Sequence, residues 1–246
     1  MSFITFFAFG QLSEGFEGAT FPPAGWNVTD NGIGTVQSWG RNIVLPNTWT
    51  IGTASAMSNR EGSVPGLAQD WLITPQVTVP ANGQLRFFAR SYSPGEQGSV
   101  YKVLISTASQ NISDFTTTLQ SYTELQINAS GFQQFFVLLD AYAGQNVYIA
   151  FVHEVTDGLG DRWIIDKVNV DRQCLQLTNL TVSAIGDTSV NLGWSNPTGA
   201  TEWEVEYGPT GFVQGTGTLV TGITSNPYTL TGLTAATTYD FYVRAV

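Results

Sequence analysis

Residues Asn146–Val170 read NVYIAFVHEVTDGLGDRWIIDKVNV. Two apolar runs of period two flank a short segment with two glycines. In the first run Ile149, Phe151 and His153 fall on one face. In the second, Ile164, Asp166, Val168 and Val170 fall together, with Trp163, Ile165, Lys167 and Asn169 opposite. β-Branched and aromatic residues at this spacing are the mark of strands rather than helices. The intervening HEVTDGLGDR (His153–Arg162) carries Glu154, Asp157 and Asp161, but without EF-hand spacing; it reads as a solvated turn.

The same texture extends outward from this stretch. QLRFFAR (Gln84–Arg90), VYKVLIS (Val100–Ser106) and QQFFVLLD (Gln133–Asp140) are further strands, separated by turns such as PANG (Pro80–Gly83) and SPGEQG (Ser93–Gly98). One helical turn is expected around Ile112–Leu119. The first block, residues 11–171, is therefore read as an all-β sandwich of jelly-roll type. A linker at 172–176 follows. Beyond it Val190, Leu192 and Trp194 alternate on one strand, and Trp203, Val205 and Tyr207 on the next, with Glu202, Glu204 and Glu206 between them.

Composition narrows the function. The 246 residues are 42% hydrophobic but only 11% charged, and the net charge is −10. A nucleic-acid groove needs clustered Lys and Arg, so that class is disfavoured, as is an anionic membrane. One cysteine, Cys174, excludes an internal disulfide, and one histidine, His153, excludes a His-rich zinc site. His153, in an apolar row, is read as a hydrogen-bonded core residue. No nucleophile elbow, zinc-protease, P-loop or dinucleotide motif is present. The first ten residues, MSFITFFAFG, are apolar, too short to span a membrane, and end in a small-x-small pattern. They read as a signal-peptide remnant of an exported protein, or else as a first strand, Phe3–Phe9.

Two resemblances follow from these motifs. Residues 177–246, with a buried-type Trp194 and Leu233 preceding Tyr239 at a tyrosine-corner spacing, resemble a fibronectin type III domain. The family's final strand would follow Val246, so the resemblance implies a domain cut short. In the first block, GFEGATFPPAGWNVTD, DWLITPQVTV, LRFFARSY, YKVLIST, YAGQNVYIAFVHE and WIIDKVNV occur in that order. This is similar to the cleaved-adhesin, or choice-of-anchor J, domain of secreted Bacteroidetes proteins, also found in the haemagglutinin regions of gingipain proteases. The resemblance implies a jelly roll with structural calcium, export by the type IX route, and a role in adhesion.

Three acids stand beside apolar strand-like segments: Glu17, Asp70 and Asp166. A carboxylate in an apolar row needs a partner, which is a metal ion, a basic side chain such as Arg60 or Arg162, or backbone N–H groups. The first and last strands of a jelly roll can be neighbours, which would bring Glu17 to Asp166. These three are the expected calcium ligands. Where the family often has a second acid after the first, this chain has Lys167. Trp39 and Trp49, flanking GRNIVLPNTW, are candidates for stacking on a glycan or a protein partner, or for the core; Tyr92 and Tyr101 are similar cases. The expectation is a non-catalytic, extracellular, monomeric module of a longer chain, binding a cell-surface glycan or protein. The alternative is an accessory module of a secreted hydrolase.

Overall fold

The structure, a computed structural model, describes residues 12–34, 39–43, 50–61, 66–127, 129–156, 159–173, 177–196 and 199–246. The leader-like segment, Trp49, Asp157 and Cys174 lie outside the described residues. Two compact units are present, Met1–Arg172 and Gln173–Val246.

The first unit contains β1 (Leu12–Glu14), β2 (Asn27–Asp30), β3 (Gly40–Asn42), β4 (Ser55–Ser58), β5 (Leu67–Ile73), β6 (Val77–Thr78), β7 (Gly83–Ser91), β8 (Ser99–Ser106), β9 (Thr117–Thr123), β10 (Gln133–Leu138), β11 (Asn146–Thr156) and β12 (Trp163–Arg172). The helical turn expected around Ile112–Leu119 is a single 3-10 turn, Ile112–Asp114, and the chain is already extended at Thr117. Among the described residues no helix is long and apolar enough to cross a membrane.

These strands form two six-stranded sheets. One has the order β10-β7-β12-β4-β3, with β1 also on β12; the other is β2-β5-β11-β8-β9, with β6 also on β11. The opening stretch supplies the central strand of each, and this decides the architecture. β11 is apolar on both faces because both are covered. Ile149 and Phe151 enter the main core between the sheets. Ala150 and Val152 join Trp71, Ile73 and Leu104 on the outer face, beneath Phe115. Trp163 of β12 is fully buried at the centre of the main core, with ring centroids 5.3 Å from Trp39, 5.0 Å from Tyr101 and 5.8 Å from Phe151.

β12 departs from strict alternation. Its register on β7 slips between Asp166 and Asn169, so one residue is inserted as a β-bulge. Lys167 takes the left-handed conformation, φ 49°. The face assignment from period two is therefore corrected: Trp163 and Ile165 face the core before the bulge, but Val168 and Val170 face it afterwards. Asp166 does not share a face with Val168. It lies on the outer face with Ile164.

The second unit holds β13 (Thr178–Ser183), β14 (Ser189–Ser195), β15 (Trp203–Pro209), β16 (Thr218–Ile223), β17 (Tyr228–Thr231) and β18 (Tyr239–Ala245) in two three-stranded sheets, β13-β14-β17 and β16-β15-β18. Val190, Leu192, Trp194, Trp203 and Val205 are buried together, with the Trp194 and Trp203 rings edge to face at 5.5 Å. The Tyr239 hydroxyl accepts the Thr234 N–H at 3.0 Å, the corner the spacing predicts. The glutamates of β15 face outward: Glu204 pairs with Arg244, and Glu206 accepts N–H groups of Gly215 and Gly217.

Candidate functional site

Strand pairing creates the first site. β7 covers one edge of β12 along its length. The other edge is shared: β4 takes Trp163–Ile165 and β1 takes Val168–Val170. The bulge at Asp166 and Lys167 falls in the gap between them. Two connecting segments reach this gap, residues 15–17 after β1 and residues 50–54 before β4.

Asp166 is buried there without a basic partner in ion-pair distance among the described residues. Its Oδ2 accepts the Ile51 N–H at 2.7 Å and its Oδ1 the Lys167 N–H at 2.7 Å. Burial pushes its carboxyl up, to about 6, while these two N–H groups oppose the rise. Glu17, by contrast, is exposed. It accepts the Thr53 N–H at 3.0 Å and the Thr53 hydroxyl, which lower its pKa. Each carboxylate thus holds one end of the segment Ile51–Thr53. Gly52 between them has φ +119°, and a Cβ there would stand 2.9 Å from Glu17 Cδ, so a side chain is excluded by conformation and by space. Negative charge on Glu17 in turn disfavours the charged form of Asp166, so the two acids are electrostatically joined. Arg41 supports the approach by donating to the carbonyls of Phe16 (3.1 Å) and Glu17 (2.9 Å).

Asp70 is elsewhere, and its grouping with Glu17 and Asp166 is corrected. It lies in a row across the second sheet, set by register: Asp30, Asp70, His153, Tyr101, Tyr122. Burial pushes Asp70 up to about 8, with the buried Glu61 carboxyl adding to the shift by hydrogen bond and charge. A neutral Asp70 carboxyl can donate to Glu61. The Ser58 hydroxyl links Asp70 Oδ2 (3.4 Å) to His153 Nδ1 (2.9 Å), and His153 Nε2 meets Ser99 Oγ at 3.0 Å. Ser99 Oγ also accepts the Asp161 N–H at 2.7 Å, so both ring nitrogens of His153 meet hydroxyls that are themselves held in place. Burial holds His153 down at about 3, neutral at physiological pH. It is the core residue its apolar row suggests. Among the described residues no three acidic, His or Cys side chains gather as a metal group, so Glu17 and Asp166 stand as a pair.

The proposed ligand-stacking residues divide similarly. Trp39 is corrected to a core residue. It is 4% exposed, its indole N–H donates to the Asp70 carbonyl at 3.2 Å, and its ring packs on Trp163. Tyr101 is buried as well. Tyr92 is 38% exposed, in the loop after β7. Arg162, expected as a partner for Asp70 or Asp166, pairs with neither. Its guanidinium lies 4.3 Å from the Tyr92 ring centroid, and its Nε donates to Asn59 Oδ1 at 3.2 Å. Asp161, beside it, accepts the N–H groups of Tyr92 (2.8 Å) and Ser93 (2.6 Å), which fixes the loop. The Tyr92–Arg162 stack joins loops far apart in sequence, so no local motif announces it.

Residues 10–170 match the family model described as Cleaved Adhesin Domain. The chain belongs to the cleaved adhesin family. The cleaved adhesin match covers the first unit, and residues 175–246 match the Fibronectin type III domain. Hemagglutinin A of Porphyromonas gingivalis is 32% identical over 179 residues, 65% of this chain and 7% of that protein; Hemagglutinin A of strain ATCC BAA-308 / W83 gives the same identity, over 8% of its length. The chain thus spans less than a tenth of these relatives. Among solved structures, the K1 Cleaved Adhesin domain of Lys-gingipain from P. gingivalis W83 superposes with a TM-score of 0.52 at 23% identity, covering 66% of this chain and 98% of that domain. At that identity the likeness establishes the cleaved adhesin fold of the first unit.

Proposed function

We propose that this chain is a non-catalytic adhesion module of an extracellular protein, stabilised by calcium, that binds a glycan or protein at a cell surface. The observation that carries the reading is the cleaved adhesin match across the whole first unit, together with the relatives' name, hemagglutinin. The state of the acid–base groups supports it. His153 is sealed in the core, and the carboxylates of Glu124 and Asp161 are occupied by backbone N–H groups. None of these is placed to exchange a proton with a bound substrate.

Tyr92, Arg162 and Asn59 form the surface we assign to the ligand. An exposed ring with a guanidinium and an amide beside it suits a sugar face edged with hydroxyl groups. The test is a glycan and protein array probed with the full chain. A Tyr92→Ala variant loses about tenfold in affinity for whatever the wild type retains, corresponding to about 1.4 kcal/mol. An unchanged binding profile removes this surface from the proposal.

For calcium, Glu17 and Asp166 fit as ligands. They converge from two segments, they repel each other, and together they offer up to four of the six to eight oxygens the ion takes, with carbonyls and water supplying the others. Bound calcium would neutralise the pair and tie residues 15–17 and 50–54 to β12. Adding EGTA to the full chain lowers the first melting transition by roughly 5–10 °C relative to calcium at a hundredfold excess over Kd, and Asp166→Asn removes most of that difference. Identical melting with and without chelator rejects the metal.

A further inference from the structure

The bulge in β12 has a chemical as well as a geometric result. Its inserted residue is Lys167, whose backbone bonds are all local: its N–H goes to Asp166 Oδ1, and its carbonyl accepts Asn169 Nδ2 at 2.7 Å. The left-handed turn at φ 49° carries the side chain out of the strand's alternation and across to the segment after β1. There it runs over Gly15. A Cβ on Gly15 would stand 3.5 Å from Lys167 Cδ and 3.1 Å from Nζ, so glycine leaves the channel in which the ammonium lies. Among the described residues Lys167 has no direct ion pair, yet its Nζ and Glu17 Cγ lie 3.1 Å and 3.8 Å from that same Cβ position, and its backbone N–H holds Asp166 Oδ1. Seven other cations are committed elsewhere or exposed: Arg86 is bound to Asp171, Lys102 to Glu154 and Arg244 to Glu204, Arg162 stacks on Tyr92, Arg90 is held at the loop after β9, and Arg60 and Arg172 are exposed. Arg41 also brings its charge to the Glu17 side of the gap, where it donates to the carbonyls of Phe16 and Glu17.

We propose that Lys167 is the resident counter-cation of the Glu17–Asp166 pair, competing with calcium for the same field and weakening its binding. This rests on the calcium reading above and adds to it: the site is already partly neutralised without metal, so the unit stays folded in low calcium and takes up the ion only at raised concentration. The charge is near enough to matter. A unit charge several ångströms away in a partly buried gap perturbs a divalent ion by more than a tenfold change in affinity.

The test compares three full chains: wild type, Lys167→Gly and Lys167→Arg. Glycine removes the charge, adds no oxygen ligand and suits a positive φ; arginine keeps the charge. Calcium binding is followed by titration calorimetry, and melting is followed in EGTA. Lys167→Gly binds calcium at least tenfold more tightly than wild type and melts at a lower temperature in EGTA, while Lys167→Arg stays within about twofold of wild type. Equal affinity in Lys167→Gly and wild type overturns the role of Lys167 and leaves the calcium site standing. Absence of calcium binding in all three chains overturns the calcium reading and this inference together.

Discussion

Trp163→Ala destabilises the first unit by about 3–5 kcal/mol, the largest loss expected from any single core substitution here. The side chain is fully buried and touches aromatic rings from both sheets: Trp39 before β3, Tyr101 on β8 and Phe151 on β11. Its removal leaves a cavity that rigid rings cannot collapse to fill, so the transfer and cavity costs add. The Trp163 indole N–H is buried with no hydrogen-bond partner among the described residues. An unpaired buried donor costs roughly 1–3 kcal/mol. Trp163→Phe removes that donor along with part of the volume, and the loss falls to about 1–2 kcal/mol. Chemical denaturation of the full chain, following the first unit's transition, measures both. A loss for Phe well above about 2 kcal/mol, as removal of a hydrogen-bonded N–H would give, refutes the assignment of an unsatisfied indole.

The second large effect is pH dependence. Between pH 8.5 and 6.5 the first unit gains about 2 kcal/mol, a rise of roughly 4–8 °C in melting temperature. The source is Asp70. Burial, with Glu61 adding to it, raises the folded-state value to about 8, above the ordinary 3.8. Such a group contributes stability that is fully present below the unfolded value and lost as pH rises through the folded one. The gain is therefore made on acidification through the region below 8. His153 has the opposite sign. Its folded-state value is depressed to about 3, so below pH 6.5 the unfolded chain takes a proton that the folded ring refuses, and the rise flattens. The groups around Asp70 are Asp30 on β2, His153 on β11, Glu61 before β5 and Ser58 on β4. Asp70→Asn keeps a donor for Glu61 and removes the ionisation. Its melting temperature is level from pH 6.5 to 8.5, and a slope equal to wild type rules out Asp70 as the source.

Much of this was legible in the sequence because strands announce themselves by alternation. The runs at Val100–Ser106, Asn146–Glu154 and Trp163–Val170 are strands in the structure. The return of the last strand beside the first was readable too, and β1 lies on β12. What alternation cannot register is an insertion. One extra residue at Lys167 rephases everything after it, and the period-two reading placed Asp166 with Val168 when they lie on opposite faces. Asp70 shows a different limit. An acid in an apolar segment looks the same whether its partner is a metal or a second carboxyl nine residues earlier, and only the fold shows Glu61 beside it. Trp39 stays open between ligand and core in the sequence because the residues around it lack periodicity. A three-residue strand, β3, is too short to show any, yet it suffices to fix the neighbouring ring in the core.

The short pairing of β1 with β12 also governs how the first unit carries load. Leu12 lies opposite Val170, so the first and last strands of the unit lie side by side in one sheet. Tension along the chain then acts to peel β1 from β12 one rung at a time, beginning at Leu12–Val170, instead of shearing all rungs together. Only two further residue pairs, Ser13–Asn169 and Glu14–Val168, stand between that first rung and the gap where Glu17 and Asp166 meet. The cross-link between residues 15–17, residues 50–54 and the bulge is thus the first element a pulling force encounters that ties three segments at once. It is a mechanical stop placed at the entrance of the fold.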